Sequence, residues 1–119
     1  DGDHALDDGM HIEAAPGHTP GLILLKLEPP AEQARDDAQG QRAVFCGDVI
    51  HHALQVHAPH WAHIVDHDPA LAKATRKNML EHCVESGALL FPAHFGAPHV
   101  ARIGEARGGF APIFVPARA

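Results

Sequence analysis

The chain contains no tyrosine, one tryptophan and two cysteines among its 119 residues. Without tyrosine, this chain supplies no phenol hydroxyl to a binding or catalytic site. The two cysteines, Cys46 and Cys83, stand in apolar segments, where a free cysteine is most often a small buried hydrophobe. We therefore expect free thiols, and a disulfide between the two remains the alternative.

Basic residues are also few: nine Lys and Arg stand against 15 Asp and Glu, which gives a net charge of -6. The nine are scattered, whereas binding to nucleic acid or to an anionic membrane depends on a basic patch. No apolar run reaches the roughly 18 residues of a membrane-spanning helix. We therefore expect no nucleic-acid or membrane partner, and a soluble protein that is cytoplasmic rather than secreted.

Histidine, by contrast, is abundant, with 12 residues. Imidazole is the commonest metal ligand among protein side chains, so the composition indicates metal binding before any motif is considered. The length and the 45% hydrophobic content fit one domain, residues 1–119, with a small core.

Five segments have the pattern of strands: Met10–Ala15, Leu22–Leu27, Arg42–Cys46, Ala88–Phe91 and Phe110–Val115. Leu22–Leu27 is almost continuously apolar, which predicts a strand buried on both faces. Pro112 favours an edge position for the last strand, because proline cannot donate to a central ladder.

The remaining segments predict one long helix and two irregular stretches. The helix begins at Pro69 with Asp68 as its N-cap and is closed by Gly87, and Leu71, Ala74, Met79, Leu80 and Cys83 recur at helical spacing. Residues 28–41 predict a surface connection, and residues 51–68 an irregular pocket wall.

Three predicted strands are each followed by a residue that suits a metal ion. These residues are His18 in the segment GHTPG, Asp48 after Phe-Cys-Gly, and His94 in the segment PAHF. Imidazole and carboxylate bind zinc and related divalent ions, and a carboxylate has two oxygens with which to bridge two of them. Loops at strand ends hold such ligands rigidly. The alternative for Asp48 is a turn cap after glycine.

The order PGHTPG, a strand ending in GD, a helix, and a strand ending in PAHF resembles the third, fourth and fifth motifs of the metallo-β-lactamase superfamily, over nearly the whole chain. The resemblance implies that His18 binds a first metal, Asp48 bridges two, and His94 binds the second. It implies divalent ions, zinc foremost, with two in the complete site and hydrolysis by a metal-activated water. Asp48 would then position the attacking water.

The same resemblance implies an α+β fold, one half of a four-layer αββα sandwich. We expect a mixed sheet of about five strands with one long helix on its outer face.

Residues 47–56, 75–80 and 102–110 further resemble the branch that contains quorum-quenching lactonases and methyl parathion hydrolase. Many lactonases of that branch have a tyrosine three residues after the bridging aspartate, where this chain has His51. We expect His51 and Phe95 to contact a small-molecule substrate, a lactone, ester or phosphotriester, although Phe95 could instead be core. Four further loop histidines are expected at the surface or pocket rim rather than as ligands: His57, His60, His63 and His67.

The family's first signature, HxHxDH, has no match here, because only His4 and His11 precede His18. We therefore expect the C-terminal half of a longer polypeptide, with activity that is incomplete without the upstream half. A non-catalytic metal-binding or self-associating fragment is the alternative, since half a fold leaves one sheet face uncovered and favours a homodimer. A histidine-rich metal buffer is a third hypothesis.

Overall fold

A computed structural model describes residues 3–30 and 42–116 of the chain. In this part, seven strands form one sheet in the order of the sequence: β1 His4–Asp7, β2 Met10–Ala14, β3 Ile23–Leu27, β4 Ala43–Gly47, β5 Leu89–Pro92, β6 Ala101–Ala106 and β7 Gly109–Phe114. Strands β4 and β5 run parallel, and the other neighbouring pairs are antiparallel. The parallel step needs a long crossover, which contains helices α1 Leu54–His57 and α2 Pro69–Ser86.

The α+β class, the mixed sheet and the edge position of β7 are confirmed, but the expected number of about five strands is wrong. Strand β1 was missed because all four of its side chains are exposed, so it has no apolar alternation. Strand β6 was missed because charged residues and Gly104 interrupt its apolar pattern. Strand β6 pairs with β7, and the two are joined by a turn at Gly108, whose φ of 79° suits glycine.

Helix α2 has the ends that the sequence predicts. The Asp68 side chain accepts a hydrogen bond from the Leu71 backbone N–H at 3.0 Å, and Gly87 closes the helix with a left-handed φ of 67°. The buried face differs in the first half of the helix, because Leu71 is 40% exposed and Ala74 is exposed as well. The residues that point inward are Ala72, Arg76, Met79, Leu80 and Cys83.

The core lies between α2 and one face of the sheet. Its members include Leu24, Val44, Cys46 and Leu90 from the strands and Met79, Leu80 and Cys83 from the helix. Both cysteines are free and buried, as expected from their apolar surroundings.

The other face of the sheet is much more open. Leu24 is 2% exposed, but Ile23 is 46% exposed and Phe45, which stacks on Phe91 at 4.7 Å, is 39% exposed. Alternate side chains of a strand point to opposite faces. The prediction that Leu22–Leu27 is buried on both faces is therefore wrong for the part of the chain that the structure describes.

The predicted surface connection at residues 28–41 falls mostly on residues 31–41, which lie outside the described residues. The predicted irregular stretch at 51–68 contains the one-turn helix α1. Within residues 3–30 and 42–116, no helix has the length and apolar character needed to cross a membrane.

Candidate metal centre

The three predicted ligands lie together, with the imidazoles of His94 and His18 beside the carboxylate of Asp48. One oxygen, Oδ1, lies 2.6 Å from Nε2 of His94, and the other, Oδ2, lies 3.6 Å from Nε2 of His18. Asp48 and His94 follow the adjacent parallel strands β4 and β5, whose carboxyl ends share one edge of the sheet. His18 reaches the same edge from the loop between β2 and β3.

The backbone at two glycines brings these ligands to that edge. Gly47, which precedes Asp48, has a φ of 48°, in the left-handed region that glycine adopts without strain. Gly17, which precedes His18, lies against the start of α2, where a Cβ would come within 2.4 Å of the Ala72 backbone. The Gly17 carbonyl also accepts a hydrogen bond from Asp68 N–H at 2.9 Å. The first turn of α2 thus fixes the position of the His18 loop.

A buried carboxylate, Asp66, orients His18. Oδ1 of Asp66 lies 3.0 Å from Nδ1 of His18, and Oδ2 accepts the backbone N–H of His63 at 2.8 Å. Burial alone would raise the pKa of Asp66, but these hydrogen bonds and the charge of Arg76 outweigh burial and hold that pKa below its ordinary value. An ionised carboxylate only accepts, so Nδ1 of His18 carries a proton, and Nε2 is the ring nitrogen that faces Asp48.

Two neighbouring residues of α2 tie the site loops together. Thr75 Oγ1 donates to the Pro16 carbonyl at 2.6 Å, next to the His18 loop. Arg76, 1% exposed, donates through Nε to the carbonyl of Val49 at 2.9 Å, directly after Asp48. It also donates to the carbonyls of Pro59 and Trp61 and lies 3.9 Å from Asp66. These contacts give a structural reason for the Thr-Arg pair in the segment 75–80.

Two further histidines, His51 and His63, lie beside the three predicted ligands. The rings of His63, His51 and His94 form a stack, with centroids 4.1 Å and 5.1 Å apart and planes within 15° of parallel. His18 lies against the side of this stack, with its ring centroid 4.7 Å from that of His51. His63, which the sequence predicts at the surface or pocket rim rather than as a ligand, is half-buried beside His51, and its backbone N–H donates to Asp66.

A hydrogen bond from its backbone N–H holds His51 in place without using its ring nitrogens. Its N–H donates to Oε1 of Gln55 at 2.7 Å, and the Gln55 amide donates to the Trp61 carbonyl. Burial, followed by the nearby imidazoles of His63 and His18, lowers the pKa of His51, so the ring is neutral near pH 7. Its Nδ1 is buried without a hydrogen-bond partner.

Phe95 belongs mainly to the core, since it is 6% exposed and packs in the main apolar cluster. Its ring also borders a cavity of about 140 Å³ beside His94. The other residues of this cavity wall are His52, Ala53, Gly96, Ala97 and Phe114. Phe95 is thus a core residue that also borders a cavity.

The donor set suits a divalent ion of the zinc type. Ligand atoms of Asp48, His51 and His94 lie within 4.8 Å of one another, and so do ligand atoms of His18, His51 and His63. Neutral imidazole and carboxylate are the ligands that zinc and its neighbours accept. Sequence reasoning missed His63 and Asp66 because their spacing from the motifs does not indicate that they lie near the predicted ligands. Only the folded loop places them there.

Comparison with solved structures identifies the fold. The chain is similar to AidC, a dizinc quorum-quenching lactonase solved with the product N-hexanoyl-L-homoserine, with 25% identity and a TM-score of 0.76 over 98% of this chain and 36% of that one. It is also similar to AbOPH, a hydrolase of the β-lactamase superfamily, with 25% identity and a TM-score of 0.79 over 96% of this chain and 38% of that one.

A probable metal-dependent hydrolase from Staphylococcus aureus shares the fold, with 18% identity and a TM-score of 0.63 over 79% of this chain and 30% of that one. No protein-family profile and no curated protein matches the sequence. The chain spans less than two fifths of each of these structures. The resemblance seen in the motifs is confirmed: over this length, the chain has the fold of the metallo-β-lactamase superfamily hydrolases.

Proposed function

We propose that the chain is part of a metal-dependent hydrolase that cleaves a lactone, an ester or a phosphotriester. The observation that carries the proposal is the position of Asp48, whose two carboxylate oxygens face His94 and His18 separately. A carboxylate placed in this way can bridge two ions, each of which also takes one imidazole. We propose His18, Asp48 and His94 as ligands of divalent ions, with zinc as the ion and two ions in the complete site.

A bound divalent ion lowers the pKa of water and polarises a carbonyl or phosphoryl oxygen. The protein's own contribution is orientation. Asp66 fixes the proton of His18 on Nδ1, so that Nε2 faces Asp48. The Asp48 carboxylate, 41% exposed, can accept a proton from an attacking water and pass it to the leaving group.

Two residues are proposed to contact substrate. His51 lies between His63 and His94 in the ring stack, where its imidazole can donate to a substrate oxygen in place of a phenol. Phe95 borders the cavity beside His94, which can accommodate a small apolar substituent. We further propose that residues outside these 119 complete the coordination, because the similar structures are more than twice as long.

The test is hydrolysis by the product of the full reading frame that encodes the chain. The metal-loaded protein is assayed with an acyl-homoserine lactone, an aryl ester and a dialkyl aryl phosphate, beside Asp48→Asn and the exposed control Asp8→Asn. We expect the protein to hydrolyse one of the three substrates. In Asp48→Asn the rate of this hydrolysis should fall by about 10²-fold or more, which is the scale of general acid–base contributions. Bound metal without turnover of any of the three classes would contradict the proposal.

A non-catalytic, self-associating fragment is the second candidate, and the open sheet face favours it. Ile23 and Phe45 expose apolar side chains there, and paired sheet faces commonly bury such surfaces. Light scattering across protein concentrations would separate the two candidates. Association that weakens in Phe45→Ser supports this fragment reading, whereas a monomer at every concentration rules it out.

A further inference from the structure

Four imidazoles lie close together beside Asp48, and the ligands implied by the family resemblance account for only two of them. His63, His51 and His94 are stacked, and His18 lies against them with its ring steeply inclined to His51 and His63, at 56° and 67°. His51 and His63 are therefore the two rings that the proposed hydrolytic ligand set leaves without a ligand role.

The ring nitrogens of three of these residues are close enough to share one ion. One ring nitrogen from each of His18, His51 and His63 lies within 4.8 Å of the other two. Nδ1 of His51 is buried and has no hydrogen-bond partner, although buried polar atoms are nearly always paired. A bound ion would satisfy a nitrogen of this kind.

Asp66 holds two of the three residues in a fixed relation. It accepts Nδ1–H of His18 through one oxygen and the backbone N–H of His63 through the other. A carboxylate behind a ligating imidazole is the usual outer partner in metal sites, because it sets the tautomer and the ring orientation. Here the same carboxylate also locates the loop that carries a second imidazole.

We propose that His18, His51 and His63 form a three-histidine site that binds one divalent transition-metal ion through residues of this chain alone. Three imidazoles with an open fourth position suit Zn²⁺, Co²⁺ or Cu²⁺ rather than Mg²⁺ or Ca²⁺, which prefer oxygen ligands. The proposal concerns binding and does not rest on the hydrolytic reaction. His51 and His63 must turn about their Cβ–Cγ bonds to place one ion in both ring planes, and that torsion is soft for histidine.

The experiment is a Zn²⁺ titration by calorimetry of the chain after removal of metal with a chelator. Variants His51→Gln and His63→Gln remove proposed ligands, His94→Gln removes the neighbouring ring, and His60→Gln removes an exposed histidine as the matched control. We expect one ion per chain and a loss of affinity of at least about tenfold in His51→Gln and His63→Gln, since even an outer partner is worth 10–100-fold. His60→Gln should stay within about threefold, and His94→Gln should lose less affinity than His63→Gln.

The alternative group, Asp48 with His51 and His94, predicts the opposite pattern. Loss of affinity in His94→Gln with normal affinity in His63→Gln overturns the three-histidine site, and so does the absence of Zn²⁺ binding. X-ray absorption of the zinc-loaded wild-type chain gives an answer that does not depend on variants folding. Scattering from three imidazoles supports the site, and scattering from two contradicts it.

The result of the zinc titration does not depend on the result of the hydrolysis assay. Turnover by the full reading frame tests hydrolysis, whereas affinity and imidazole count in the isolated chain test this site. The hydrolase can fail while zinc still binds through three imidazoles, and the three-histidine site can fail while the complete protein hydrolyses its substrate.

Discussion

The carboxylate of Asp66 lies 3.0 Å from Nδ1 of His18, on the side of the imidazole opposite to the nitrogen that faces Asp48. Asp66 itself is fully buried and is held by the His63 backbone N–H and by the charge of Arg76. The orientation of a proposed metal ligand is thus set by a residue 48 positions away in the sequence. This dependence leads to the first prediction.

Asp66→Asn should allow His18 to adopt either neutral tautomer. An amide can present its oxygen or its NH₂ group to Nδ1, so the proton is no longer confined to that nitrogen. Nitrogen-15 NMR of the metal-free chain should show a single Nδ1–H tautomer of His18 in the wild type and a mixture in the variant. Metal affinity should fall by about 10–100-fold. An unchanged tautomer would contradict the role, and Asp8→Asn in an exposed turn is the control.

Arg76→Met should destabilise the fold strongly. The guanidinium is buried, donates to the Val49, Pro59 and Trp61 carbonyls, and is the cation facing Asp66. Breaking a buried charged pair from one side costs about 3–5 kcal/mol, because the remaining charge stays uncompensated. Urea denaturation measures the loss, and Lys77→Met, on the exposed side of the same helix, should change the free energy of unfolding little.

The double variant Asp66→Asn/Arg76→Met tests whether the pair acts as a unit. If the buried charges compensate each other, the double variant should be less destabilised than the sum of the two single changes. Additive free energies would show that the two residues act independently.

Gly17→Ala should destabilise the chain, whereas Gly21→Ala in the same loop should not. A Cβ at Gly17 would come within 2.4 Å of the Ala72 backbone, and the φ of 138° is strained for any L side chain. At Gly21 no atom lies within 4 Å of such a Cβ. We expect a loss of about 1–3 kcal/mol for Gly17→Ala, the range for overpacked sites, measured by thermal unfolding. Equal melting temperatures for the two variants would refute this explanation.

The pH dependence of stability should include a contribution from His82. Burial, followed by the charge of Lys26, lowers the pKa of His82 below 6.5. The unfolded chain then binds more protons below pH 6.5, so this contribution is complete above that pH and is lost as the pH falls through the folded pKa. Denaturation with a chelator present should show a smaller loss between pH 8 and pH 5.5 in His82→Gln. Identical losses in His82→Gln, the wild type and the exposed control His60→Gln would contradict the prediction.

The two thiols should be unreactive in the folded chain. Burial raises the pKa of both Cys46 and Cys83 to about 12, so the thiolate that reacts with disulfide reagents is scarce at pH 8. A thiol assay should detect both cysteines in denaturant and neither over minutes in buffer. Rapid labelling in buffer would mean that the core opens readily around α2.

The sequence alone determined the segments whose signals are local. Helix α2 was predictable from Asp68, Pro69 and Gly87, because capping chemistry is decided by adjacent residues. The proximity of His18, Asp48 and His94 was predictable because each follows an apolar strand in a recognisable motif, and in the structure both imidazoles lie beside the Asp48 carboxylate. Strands β1 and β6 were missed, since their pairing partners rather than their own patterns make them strands.

Only the tertiary structure decided which other side chains lie beside the predicted ligands. His63 and Asp66 lie in a loop without periodicity, and Asp66 contacts both His18 and Arg76, a buried arginine of α2. Burial of Arg76 was equally invisible in the sequence, where a charged residue on a helix predicts an exposed face. Contacts of this kind depend on the packing of a helix against a distant loop, and local sequence does not encode that geometry.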